Sequence, residues 1–347
     1  MRTVILLTLA LAAGAAKAVV PDNAYSHPQK LVVIDGHRKL NIFCLGTGEP
    51  TVLFDAGLGG DSLTWRKVQD EIATKTRACS YDRAGYGFSD PSPNPSDVKS
   101  IVADIDKLLK AAGIKTPVVY VGHSIAGLYG VALQGRHPED VAAEVLVDPS
   151  VHDQNETYMA MIPAAMRPAV AKMNADMVAQ ARTCLDLAKN GALTNPADDV
   201  AKTCVGLPSR KIDPALSEAL ARQWASPAPH AANLSETISA TPLNGSLSAD
   251  RVQVEAARSS FGDKPLIILT ASESHGTPSL SAEQNARLDA AWSAGHDVLA
   301  ALSSRGSNSV VPDSSHSIQR DQPQAVIAAI ETAIDQVHRA QVAPGRR

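Results

Sequence analysis

Val118-Val119-Tyr120-Val121 is an unbroken apolar run that stops at Gly122 and passes through His123-Ser124-Ile125 into Ala126-Gly127-Leu128. A short run of this kind, bounded by glycine, reads as a strand buried on both faces, which calls for helices on both sides of a sheet. Its abrupt passage into a helix leaves Ser124 at the apex of a tight turn. Such a turn admits only small side chains two positions either side of its apex, and Gly122 and Ala126 stand there. The pattern is G-x-S-x-A, one methyl group from G-x-S-x-G. Glycine-rich strand-to-helix turns also occur without chemistry, so a nucleophilic Ser124 needs a base and an acid elsewhere in the chain.

His316 is the candidate base. It follows the last strand-like run, in Val310-Val311-Pro312-Asp313-Ser314-Ser315-His316, and loops after parallel strands gather at the edge where Ser124 lies. His152 and His275 also follow strand ends, whereas His123 adjoins the serine and is expected to point away from it. The remaining histidines, His296 among them, read as surface or helix positions. An imidazole base needs a carboxylate to fix its tautomer and stabilise the cation that forms. Asp148, in Val145-Leu146-Val147-Asp148-Pro149, is preferred because it leaves its strand directly on a short side chain; Glu273, after the next strand, is the alternative. The oxyanion of an acyl transfer needs backbone N–H donors. Ile125, directly after the serine, supplies one; Leu58, in Asp55-Ala56-Gly57-Leu58-Gly59-Gly60, is expected to supply the second.

Strand and helix signals alternate along the chain. Strands are expected at 31–35, 39–45, 51–55, 77–81, 118–121, 144–148, 266–270 and 307–311, the first two forming a hairpin. Helices are expected around 65–75, at 96–112 with Ser96 as cap and Gly113 as stop, and at 249–260, 281–302 and 323–337. Between 150 and 246 no strand-like run occurs, and proline-punctuated helical stretches read as an inserted helical cap. The resulting organisation is a core of 22–149 and 247–343 with the cap at 150–246. Met159, Met161, Met166, Met173 and Met177 fall in that cap, either packing it onto the body or giving it an adaptable apolar surface.

A charged start, an apolar run from Val4 to Ala16 and the small-x-small end Ala16-Lys17-Ala18 make residues 1–18 a secretory signal, cleaved after Ala18. The run is shorter than the roughly 20 apolar residues of a membrane span, so no stable membrane insertion is expected after cleavage. Export to an oxidising compartment, outside the cell or periplasmic, permits disulfides among the four cysteines. Cys184 with Cys204 is the preferred pair; Cys44 and Cys79 lie in strands and either bond or remain buried thiols. No Cys/His spacing resembles a metal site, and no P-loop lysine or nucleotide-binding glycine pattern points to a cofactor. A net charge of −4 gives no attraction to nucleic acid.

Over residues 30–340 these features together resemble the α/β-hydrolase superfamily. Asp82-Arg83-Ala84-Gly85-Tyr86-Gly87-Phe88-Ser89 is similar to the D-R-x-G-x-G-x-S loop of its capped members, and His316 to Pro323 to their H-x-x-Q-x-x-x-P segment. The resemblance implies a mostly parallel eight-stranded α/β sheet with helices on both faces and an inserted helical cap. It implies Ser124 as nucleophile, His316 as base, and Leu58 and Ile125 as oxyanion donors. Three positions depart from the pattern: Ala126 replaces glycine, Asp55-Ala56-Gly57 replaces His-Gly, and the usual acid position aligns with Ser274, one place after Glu273. Some members take the acid from the preceding strand, where Asp148 stands. The expected activity is hydrolysis of a small-molecule carboxylic ester through an acyl-enzyme on Ser124; a lactone, amide or carbon–carbon bond, or ligand binding without catalysis, are the alternatives.

Overall fold

The computed structural model describes residues 20–196, 199–205, 212–273 and 280–342. The expected secretory segment, Ser274 and His275 lie outside the described residues. Eight strands form one sheet in the order β1-β2-β4-β3-β5-β6-β7-β8: β1 (Leu31–Asp35), β2 (Arg38–Leu45), β3 (Val52–Asp55), β4 (Ala78–Tyr81), β5 (Val118–His123), β6 (Val141–Val147), β7 (Leu266–Ala271) and β8 (Gly306–Val311). The hairpin partner β2 pairs antiparallel with β1 and β4; all other pairings are parallel. The chain leaves β3 toward β4 on one side and reaches β5 on the other, so a crevice opens above the carboxyl ends of β3 and β5.

The helices are α1 (Gln69–Ile72), α2 (Val98–Ala112), α3 (Ala126–Arg136), α4 (Gln154–Met161), α5 (Arg167–Lys189), α6 (Asp199–Val205), α7 (Pro214–Ala225), α8 (Pro227–Ala240), α9 (Ala249–Ala257), α10 (Ala282–Ala300), α11 (Ile318–Asp321) and α12 (Pro323–Val342). Alternation along β5 explains why its whole run is apolar. Val118 and Tyr120 face a core shared with Ile101, Ile105, Leu128 and Val254, while Val119 and Val121 face a second core with Ile72, Ile327, Ile330 and Ile334. Helices therefore cover both faces, as continuous burial of parallel strands demands.

Two local expectations are corrected. The helix around 65–75 is a 3₁₀ turn, Ser62–Trp65, followed by the single turn of α1. Helix α2 is capped by Asp97, whose side chain accepts from the Ser100 N–H; Ser96 instead donates its N–H to Ser235 Oγ. Gly113 ends the helix in the left-handed region, as expected.

From Ser150 to Ser246 the described residues contain only helices and loops, α4 to α8, inserted between β6 and α9. Met161, Met173 and Met177 are exposed on this insertion rather than packed against the body. Cys184 on α5 and Cys204 on α6 are bridged, and so are Cys44 and Cys79, which stand directly opposite each other in the β2–β4 register. Among the described residues no helix is long and apolar enough to cross a membrane.

Glu144 on β6 is fully buried, and neither carboxyl oxygen has a hydrogen-bond partner among the described residues. Burial pushes its pKa from 4.5 to about 8, against the smaller opposing pull of the Lys264 charge. Between those values the folded chain keeps a proton that the unfolded chain releases, so stability is lost as pH rises through this window, by about 1.4 kcal/mol per unit. Glu144→Gln removes that dependence. Urea unfolding should show the variant gaining on the parent protein between about pH 5 and about pH 8, and running parallel to it below about pH 4.

Candidate active site

β5 ends at His123 and α3 begins at Ala126, leaving Ser124 between them with φ 55°, in the left-handed region. The strained residue is pinned through its backbone. Its N–H donates to Val147 O (3.1 Å), and its carbonyl accepts from the N–H groups of Gly127 (2.9 Å) and Ser150 (2.8 Å). The Ala126 methyl is fully buried without displacing the turn. The tightest position is Gly127, where a Cβ would lie 2.4 Å from Pro149 Cβ. The close approach of the two segments is what brings the end of β6 beside the serine.

Three side chains expected together from the sequence meet there. Ser124 Oγ lies 2.9 Å from His316 Nε2, and His316 Nδ1 lies 2.6 Å from Asp148 Oδ2. A carboxylate only accepts, so Nδ1 carries the proton and Nε2 is free to accept from the serine hydroxyl. Asp148 is fully buried with φ 43°, while the His316 side chain is 37% exposed, so the acid is sheltered and the base faces the cavity. The other acid oxygen, Oδ1, accepts from Ala271 N–H (3.0 Å) and from the Trp292 indole N–H (3.0 Å). Glu273 is exposed at the end of β7, its N–H bound to the Ser314 carbonyl, and it is Asp148 that reaches His316.

The other histidines are occupied differently. His123 Nε2–H donates to the His316 carbonyl (2.9 Å), and its ring packs on the His316 ring with centroids 4.7 Å apart. Burial, then the His316 ring, push its pKa down to about 3, so it stays neutral. His152 lies 3.0 Å from Glu255 Oε2 and beside Arg258, in an ion cluster. His296 lies on helix α10, one of the two placements expected for it, and is buried there, bonded to Thr270 Oγ1 and to the carbonyl of Pro149, next to the acid.

The loop after β3 carries Leu58 to the same cavity. Gly57 must be glycine, because a Cβ there would lie 2.7 Å from His123 Nδ1 and 3.2 Å from Ser124 Cβ. A buried guanidinium holds the loop from below. Arg83 donates from Nη1 to Asp55 Oδ1 (2.7 Å) and to the Ala56 carbonyl, from Nη2 to the Gly57 carbonyl (2.8 Å), and from Nε to Glu236 Oε1 on α8 (2.7 Å). Asp55 also accepts from the Tyr81 and Tyr120 hydroxyls, and Glu236 from that of Tyr86. Burial alone would depress Arg83, but the Glu236 and Asp55 carboxylates hold its pKa well above the ordinary value. Asp55, where the resemblance expected His-Gly, is thus the loop's anchor.

Above Ser124 is a cavity of about 180 Å³, lined in part by Leu58, Ile125, Leu128, Met177 and Thr241. Among the described residues neither the Leu58 nor the Ile125 N–H donates to a protein acceptor. The N-terminus of α3 adds its positive dipole end at the same place. A hydroxyl activated by a base, with unpaired amides beside it, can attack a carbonyl carbon and hold the resulting oxyanion.

Residues 52–329 match the model described as the alpha/beta hydrolase family. The chain belongs to that family. This alpha/beta hydrolase is 33% identical over 135 residues to YqjL of Bacillus subtilis, a match covering 36% of the chain and 49% of YqjL. The chain spans about half the length, or less, of the curated relatives it matches. Its fold is shared with DBJA (TM-score 0.62, 14% identity, 89% of this chain and 98% of that one). It is shared also with an esterase from Thermogutta terrifontis (TM-score 0.51, 16% identity, 89% and 98%).

Nothing local in the sequence marks Trp292, which lies 144 positions from the acid it holds. Arg83 was visible in its motif, but its partner Glu236, 153 positions away, was not. Arg83→Met leaves two carboxylates buried without their cation. Thermal and urea unfolding should show a loss of about 3–5 kcal/mol, the cost of breaking a buried pair on one side, and a surface Arg→Met control should show none of it.

Proposed function

We propose that this alpha/beta hydrolase is a secreted serine hydrolase that cleaves a carboxylic ester through an acyl-enzyme on Ser124. The observation that carries the reading is the continuous relay from Ser124 Oγ through His316 to the buried Asp148. His316 Nε2 takes the hydroxyl proton as Oγ attacks the ester carbonyl, and the oxyanion forms against the Leu58 and Ile125 amides. His316 then returns the proton to the leaving alcohol. A water enters, gives its proton to Nε2 and attacks the acyl carbon; collapse releases the acid and restores Ser124. Asp148 holds the imidazole in the Nδ1–H tautomer and stabilises its cation.

Export is supported by the sequence pattern of residues 1–18 and by the two disulfides, which persist in oxidising compartments. The activity is tested by labelling the folded protein with a fluorophosphonate and by hydrolysis of short p-nitrophenyl esters. Label should appear on Ser124 and vanish in Ser124→Ala; a folded protein that takes no label would be a binding member of the family. Asp148→Asn presents an amide donor to Nδ1 and favours the wrong tautomer, so kcat should fall by about 10⁴. Glu273→Gln should leave kcat unchanged, and the reverse pattern would move the acid to β7.

A further inference from the structure

A second cavity, of about 290 Å³, lies beside the one over Ser124. Helices α3, α4, α9 and α10 wall it, with Val131, Val254, Leu288, Ala291, Trp292 and Leu299 among the groups facing it. Leu128, Ser150, Val151, His152 and Gln154 line both cavities, so the two spaces meet along that segment. The partition is fixed at Ser150, whose N–H donates to the Ser124 carbonyl, and beyond it Glu156 of α4 pairs with Arg251 of α9. Helix α4, which continues from it, buries none of its residues, and Val151 rests against Gly295 of α10, where a Cβ would lie 3.3 Å from Val151 Cγ2. The one titratable ring in the partition, His152, is engaged with Glu255 and Arg258.

We propose that this chamber receives an unbranched alkyl arm of the substrate, so that the preferred esters are medium-chain ones. The proposal rests on the ester-hydrolase reading above. Most of its wall is apolar, with the polar side chains confined to the segment 150–158 and Arg258, so a methylene buried against α3, α9 and α10 gains its transfer free energy, worth about fourfold in kcat/KM. Short esters leave it unfilled. The arm would also pack against Trp292, whose indole N–H holds Asp148 Oδ1, so the group that recognises the chain is in contact with the relay.

The test measures kcat/KM over two ester series with the whole protein: p-nitrophenyl esters from acetate to dodecanoate, which lengthen the acyl arm, and alkyl acetates from ethyl to decyl, which lengthen the alcohol arm. Ala291→Trp on α10 and Thr157→Trp on α4 fill the chamber from different walls. In the parent protein one series should climb by about fourfold per methylene over its first members. Both variants should flatten that climb while leaving acetate hydrolysis and fluorophosphonate labelling intact. A flat profile in both series, or a climb that survives in the folded variants, overturns the proposal. Should neither variant fold, Leu288→Ala enlarges the chamber instead; the optimum should move to longer chains, and an unmoved optimum counts equally against it. Absence of both labelling and acetate hydrolysis would sink the ester-hydrolase reading itself, an outcome distinct from a flat profile in an active, labelled enzyme.

Discussion

The geometry above the sheet depends on the Arg83 guanidinium. Taking one cation and two carboxylates out of water costs several kcal/mol per ion, and attraction offsets this only where the remaining donors and acceptors are matched. Here they are matched by backbone: the carbonyls of Ala56 and Gly57 take guanidinium protons, while tyrosine hydroxyls take up the other carboxylate oxygens. The fork is planar and rigid, so fixing Glu236 on α8 and Asp55 at the end of β3 also fixes the peptide groups leading to Leu58. A lysine could neutralise the charge but could not hold four acceptors in one plane.

The relay draws on the sheet in a different way. Ser124, Asp148 and His316 follow β5, β6 and β8, parallel strands whose carboxyl ends share one edge. Ser124 and Asp148 both take positive φ immediately after their strands, which turns each side chain upward at once instead of letting the chain run on. His316 needs a longer approach, and its loop is tied to the end of β7 through the Ser314 carbonyl and the Glu273 N–H. Glu273 is therefore part of what holds the histidine loop, through its backbone and not its carboxylate.

Much of this was legible in the sequence because the signals are local. Most of the eight strands follow from apolar runs bounded by turn residues, and the serine turn from the spacing of Gly122, Ser124 and Ala126. Asp148 could be preferred over Glu273 because leaving a strand directly on a short side chain is a local property. What stayed hidden depends on folding at long range. Trp292 sits on a helix whose own pattern marks a face but not the acid it will meet, and Glu236 looks like an ordinary polar position on an ordinary helix. The single turn of α1 was overread because helical spacing persists beyond Ile72, while the chain must already turn toward β4.

The insertion is fastened unevenly, and this separates two requirements that conflict in one site. At α8 it is bound to the body through a buried charge, and α8 cannot lift without exposing Asp55, Arg83 and the loop to Leu58. Helix α5 packs along α8 and is cross-linked to α6 through Cys184 and Cys204, so that part of the insertion resists deformation as a unit. Helix α4 has no buried residue to lose; it is held by its contacts with α10 and by the Glu156–Arg251 pair to α9. Oxyanion amides must be preorganised, since any reorganisation adds to the barrier, whereas a chamber for alkyl chains must tolerate guests of different length. On the proposed reading the rigid attachment lies over Leu58 and α4 borders the chamber, so a guest that shifts α4 leaves Arg83, Glu236 and the loop to Leu58 in place.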